Sequence, residues 1–202
     1  MAYGPFGQHQ TIACIRKQGV LYNTFTTAKS MLTSATSVVG VSDQIPIIAP
    51  PAYYDGHKFK VRVQAGFSNI VTTPGTVNFQ VVLGGVAVYD SGAIIITTTA
   101  HTLVPFWAEI HLTLDTSGNG TLARFRSMGE FTCLAFQNSG AAAADVTAGG
   151  IPTILNNGNT APALGTGFNA AQANALDFFA GFSISNAGNG FQLWEYEVID
   201  CN

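Results

Sequence analysis

Apolar residues recur at every second position along several segments of the chain. In Phe59–Ala65, Phe59, Val61, Val63 and Ala65 fall on one side, and Lys60, Arg62 and Gln64 on the other. In Phe106–Leu114, Phe106, Ala108, Ile110, Leu112 and Leu114 alternate with Trp107, Glu109, His111 and Thr113. A period of two marks strands with one face buried and one solvated, the pattern of antiparallel sheets. Further strands are expected at Thr76–Leu83, Val86–Tyr89, Ile94–Thr98, Thr121–Ser127, Glu130–Gln137, Phe178–Ile184 and Phe191–Ile199. Gly84-Gly85 suits a two-residue hairpin, Asp90-Ser-Gly92 closes another turn, and Thr116–Gly120 joins two long strands. Many short strands with turn signals between them predict an all-β, jelly-roll-like antiparallel sandwich.

Two regions depart from this rhythm. Residues 1–50 read as an extended N-terminal arm and approach segment, with a helix-tolerant stretch at Thr27–Thr36 and a proline-rich end, Ile45–Pro51, that excludes a central strand. The arm is expected to lie along a neighbouring subunit, so that deleting residues 1–26 leaves the sandwich, residues 51–202, folded. Residues 138–173 are rich in Ala, Gly, Asn and Thr, with Asp145 their lone charge. A loop of that length is usually functional or disordered, and this composition favours an ordered contact loop.

Composition changes the picture in one respect. Charged residues make up 9% of the 202 residues and hydrophobic ones 47%, where a soluble domain normally has about a quarter charged. Such a surface is poorly solvated, and cover by neighbouring subunits is the simplest remedy. The net charge of −3, with Lys58, Lys60 and Arg62 as the densest basic stretch, argues against a nucleic-acid partner. No apolar run approaches the roughly 20 residues of a membrane helix, and the first residues lack the pattern of a signal peptide, so synthesis in a cytoplasm without export is expected.

Candidate chemistry is sparse. Cys14, Cys133 and Cys201 are odd in number and far apart, which suits buried free thiols. Asp115-x-Ser117-x-Asn119-Gly120 opens like a calcium loop, but Arg126 stands where a bidentate Glu is required. Gly165-x-Gly167-x-x-Ala170 lacks the preceding strand of a dinucleotide site. His9, His57, His101 and His111 are scattered, and Glu109-x-His111 supplies two metal ligands at most. Glu195 and Glu197 share a strand face, with Trp194 and Tyr196 expected on the other; both carboxylates point one way and do not flank a substrate. Gly-x-Ser-x-Gly is absent, and Asn119-Gly-Thr121 is a sequon without an export signal. Tyr53, Tyr54, Trp107, Trp194 and Tyr196 suit core or interface anchors better than a sugar-stacking platform. No catalytic residue, cofactor site or metal site is assigned.

From about residue 30 onward, the order of motifs carries a resemblance. It runs Ser30-Met-Leu32, Ile45-Pro-Ile-Ile-Ala-Pro, Asp55–Gly66, Leu83-Gly-Gly, the Phe106-Trp107 strand leading to Leu114–Thr121, Met128-Gly129 and Ser185–Trp194. This order is similar to the small jelly-roll structural proteins of tailed bacteriophages, which decorate capsids or occur as head-fibre and tail-associated modules. The resemblance implies a non-enzymatic virion protein, most simply a capsid decoration (cement) protein. It would sit as a homotrimer on the outer capsid surface and bridge subunits of the major capsid protein. The alternatives it leaves are a tail- or head-fibre-associated module recognising a host surface glycan, and a coat subunit.

Overall fold

The computed structural model describes residues 10–16, 18–32, 45–50, 52–70, 72–137, 153–156 and 165–201. Among these residues every regular element is a strand. The strands are β1 (Gln10–Ile15), β2 (Tyr22–Asn23), β3 (Lys29–Ser30), β4 (Ile47–Ile48), β5 (Lys58–Asn69), β6 (Thr76–Leu83) and β7 (Val86–Asp90). They continue with β8 (Ile94–Ile95), β9 (His101–Thr116), β10 (Arg124–Cys133), β11 (Thr153–Asn156), β12 (Asn174–Phe182) and β13 (Gly190–Asp200).

Two antiparallel sheets form. Sheet A has seven strands in the order β1-β13-β5-β9-β10-β11, with β2 also on β13. Sheet B has six in the order β3-β12-β6-β7, with β4 on β12 and β8 on β6. The pairing is nested: β1 with β13, β3 with β12, β5 with β9, and β6 with β7. Such nesting is one long antiparallel ribbon folded back on itself. Rolling that ribbon sets β13 beside β5 and β12 beside β6, which is the winding of a jelly roll. The β9–β10 hairpin and β11 widen sheet A beyond it.

The period-two residues meet between the sheets. Phe59, Val61, Val63 and Ala65 of β5 and Phe106, Ala108, Ile110, Leu112 and Leu114 of β9 are all buried. Phe79 of sheet B is at the centre of the packing, its ring 4.8 Å from Phe106, 5.4 Å from Phe131 and 5.8 Å from both Phe178 and Phe191. The Tyr196 hydroxyl crosses between the sheets and donates to the Leu176 carbonyl at 3.0 Å.

Several sequence expectations need correction. Residues 10–16 and 18–32 do not lead up to the sandwich but belong to it: β1 and β2 pair with β13, β3 pairs with β12, and Ile15, Phe25, Met31 and Leu32 are buried in the core. Strands two residues long leave no period to read. Within the helix-tolerant stretch, residues 27–32 hold β3 and a bend; 33–36 lie outside the described residues. The proline-rich end does form only an edge strand, β4. Of loop 138–173, residues 153–156 pair with β10, Phe168 is buried, and 138–152 and 157–164 lie outside the described residues.

Met128-Gly129 is not a break. One strand, β10, runs through it, and the glycine is there because a Cβ at this position would lie 2.6 Å from the Tyr89 hydroxyl. Glycine there marks a close approach of side chain to backbone. Likewise β9 begins at His101, ahead of Pro105, and shifts register against β5 between Phe67 and Asn69.

Candidate functional site

The polar alternates of β5, β9 and β13 gather on the outer face of sheet A. Register fixes them in rows across the strands. One row reads Glu195, Gln64, Trp107 and Thr132; the next reads Glu197, Arg62, Glu109 and Glu130; a third holds Lys60, His111 and Met128. Neighbouring strands are about 4.8 Å apart, so directly opposed charges interact.

Arg62 stands between two carboxylates. Its Nε donates to Glu109 Oε2 at 2.7 Å, and its Nη1 lies 3.6 Å from Glu197 Oε2. Lys60 Nζ is 2.9 Å from the other Glu109 oxygen, which His111 Nε2 also meets at 2.9 Å. Burial opposes the charge on Glu109, but the hydrogen bonds and charges of Lys60 and Arg62 outweigh it and bring its pKa down to about 2. At the sheet edge, Arg16 Nε donates to Glu195 Oε1 at 3.3 Å and Thr11 Oγ1 donates to Glu197 Oε1 at 3.2 Å. Three cations, Arg16, Lys60 and Arg62, thus face three carboxylates, Glu109, Glu195 and Glu197, with the His111 imidazole beside them.

Beside it lies an open depression of about 380 Å³ lined by Arg62, Gln64, Trp107, Glu195 and Glu197. Trp107 forms its apolar wall. The expectation that Trp194 faces away from the glutamates is corrected. A bulge between Leu193 and Glu195 leaves Trp194 unpaired and turns it outward over Gly66. A Cβ at Gly66 would lie 2.8 Å from Trp194 Cζ2 and 2.9 Å from Leu103 Cδ2, so this face accommodates the indole only with glycine beneath it. Tyr196 points inward as expected and is fully buried.

The remaining candidates are not brought together. Tyr53 is in the core against Phe168, and Tyr54 is exposed at one end of the sandwich beside His57, so the five aromatics share no platform. His57 is buried, stacked on Phe59 and bonded through Nε2 to Asp200 at 2.9 Å. His101 opens β9, and His9 lies outside the described residues. Among the described residues no three metal-ligating side chains cluster, and the carboxylate of Glu109-x-His111 already faces three basic groups. Asp115 pairs with Arg126 at 2.8 Å, so the calcium-like loop carries its own cation inside a hairpin. Residues 165–170 run beside the start of β10, where Gly165, Phe168 and Ala170 donate to the carbonyls of Phe125, Ala123 and Gly118. The glycine at 167 is required because a Cβ would collide with the Thr121 carbonyl.

Of the three cysteines, Cys133 is buried, and burial pushes its thiol up to about 12. Cys201 is half-buried. Cys14 departs from the expected burial: β1 is an edge strand, and its outward position beside Glu197 exposes the thiol.

No family model matches the chain, and no curated protein matches it. Among solved structures it is similar to the CBM2 module of Lactobacillus casei BL23 phage J-1 evolved Dit, at 10% identity over 98% of each chain with a TM-score of 0.39. A likeness that distant says nothing about what this chain binds.

Proposed function

We propose that the chain is a non-catalytic structural module of a tailed-phage virion, acting as a capsid decoration protein. In this reading homotrimers attach to the outer surface of the head and bridge subunits of the major capsid protein. Neither nucleic acid nor membrane is a partner. The observation that carries the reading is the loop-built end of the sandwich, which presents Ile47, Tyr54 and Leu122 to solvent. That end is held by cross-loop hydrogen bonds: Ser117 N to Asp55 Oδ1 at 2.6 Å, the Tyr53 hydroxyl to the Ile48 carbonyl at 2.8 Å, and Asn174 Nδ2 to the Asn169 carbonyl at 3.0 Å. Exposed apolar side chains at a hydrogen-bonded end of the sandwich suit contact with a partner surface. Repetition over a shell multiplies modest contacts through avidity.

A second reading, a tail- or head-fibre-associated module for a host surface glycan, is favoured by the outward placement of Trp107 and Trp194 on sheet A.

Imaging virions that lack this chain separates the readings. Intact but fragile heads are expected. Normal heads with lost adsorption would favour the fibre reading, and absent heads would make the chain a coat subunit.

A further inference from the structure

We infer that the depression on the outer face of sheet A is a subsite for a neutral sugar residue of an open polysaccharide chain. The inference uses the face invoked by the glycan reading but does not depend on whether the module sits on head or tail. Four observations point to that ligand class.

The first is charge. Glu195 and Glu197 on one side and Arg62 on the other line the depression. A phosphate or uronate would meet two carboxylates, and a cation would find those carboxylates already held by Arg16, Thr11 and Arg62. A neutral ligand meets neither penalty.

The second is the mixture of polar atoms. Gln64 offers an amide donor and acceptor, the glutamates offer oxygens, and an arginine has five N–H groups, of which Arg62 directs Nε and Nη1 to its carboxylate partners. Donors and acceptors alternating over one small area match vicinal hydroxyls, each of which donates and accepts.

The third is the wall. Trp107 is half-buried in the row between Gln64 and Thr132. Its indole gives the axial C–H face of a pyranose an apolar, electron-rich surface.

The fourth is shape. At about 380 Å³ and open to solvent, the depression is at the lower end of ligand sites. It admits a ring whose neighbours continue along the sheet.

The test uses the full chain, titrated with maltohexaose, cellohexaose and hexa-N-acetylchitohexaose as neutral probes and polygalacturonate as the acidic one. Tryptophan fluorescence and calorimetry read binding. At least one neutral probe is expected to bind, with little dependence on salt. Trp107→Ala should weaken it by about tenfold or more, as for loss of one stacked ring, and Gln64→Ala, an exposed position, by a smaller factor with an unchanged melting temperature. Should Trp107→Ala fail to fold, Trp107→Phe is expected to keep the fold and bind at intermediate strength. Binding to polygalacturonate alone, or neutral binding untouched by Gln64→Ala and either Trp107 variant, would overturn the subsite and leave the glycan reading standing. No binding to any probe counts against both.

Discussion

Arg62 and Glu109 sit directly opposite each other on β5 and β9, and the Arg62 Nε donates to Glu109 Oε2 at 2.7 Å. The pair closes a network in which few charges are left without an opposite. Arg62→Ala removes a partner from Glu109 and Glu197 together. Because the arginine side chain is 42% exposed, the expected loss is about 1–2 kcal/mol, below that of a fully buried pair. A double-mutant cycle with Glu109→Gln should return a coupling of about 0.5–1 kcal/mol or more; strictly additive losses would show that the two do not interact.

Two carboxylates give stability opposite pH slopes. Glu109 has its pKa lowered to about 2 in the fold from an ordinary 4.5. Its contribution is therefore present above about 4.5 and lost as pH falls towards 2. Asp177 behaves in reverse: burial raises it from 3.8 to about 6, against hydrogen bonds from Ser30 and the Phe178 amide. Between those values the folded state keeps a proton that the unfolded state has released, so stability falls as pH rises through the window and the cost is complete above about 6. Asp177→Asn should flatten the melting temperature between pH 4 and 6 and raise stability at pH 7 by about 1–3 kcal/mol. An unchanged pH profile would contradict the assignment.

Phe79 touches five aromatic rings across the interior. Phe79→Ala should cost about 3–5 kcal/mol, read by urea denaturation. A loss under about 1 kcal/mol would mean the core is not organised around it.

Gly66→Ala places a methyl against Trp194 and Leu103 at under 3 Å. The indole has to move, so its emission should shift and stability should fall by about 1–3 kcal/mol. An unaltered spectrum would place Trp194 elsewhere.

Deleting residues 1–26 removes β1, β2 and the buried Ile15 and Phe25, whose ring packs edge-on to Phe182 at 5.3 Å. The truncated chain is expected to lose cooperative unfolding, the opposite of what an appended arm would show. A melting transition equal to that of the full chain would contradict the packing.

The long strands were legible because alternation is a local signal: Phe59–Ala65 and Phe106–Leu114 face as their periods demand. The sandwich class followed from them. The two-residue strands β2, β3 and β4 were hidden because two residues carry no period and are held by tertiary pairing alone. The expected strands Thr121–Ser127 and Glu130–Gln137 left Gly129 between them, since only the fold brings Tyr89 above it. Trp194 misled because a bulge sets it and its neighbour Glu195 on the same face, against strict alternation. The site was legible in pieces: Arg62, Glu109 and Glu197 were each placed on a polar face. Gln64 shares that face, and the junction of these residues depends on register between strands far apart in sequence.

The decoration reading is tested most directly by cryo-electron microscopy of intact virions carrying this chain. Threefold-symmetric jelly-roll density is expected on the outer surface of the head, with the end bearing Ile47, Tyr54 and Leu122 against the coat subunits. Jelly-roll density confined to the tail, or heads whose outer surface lacks it, would overturn the decoration role.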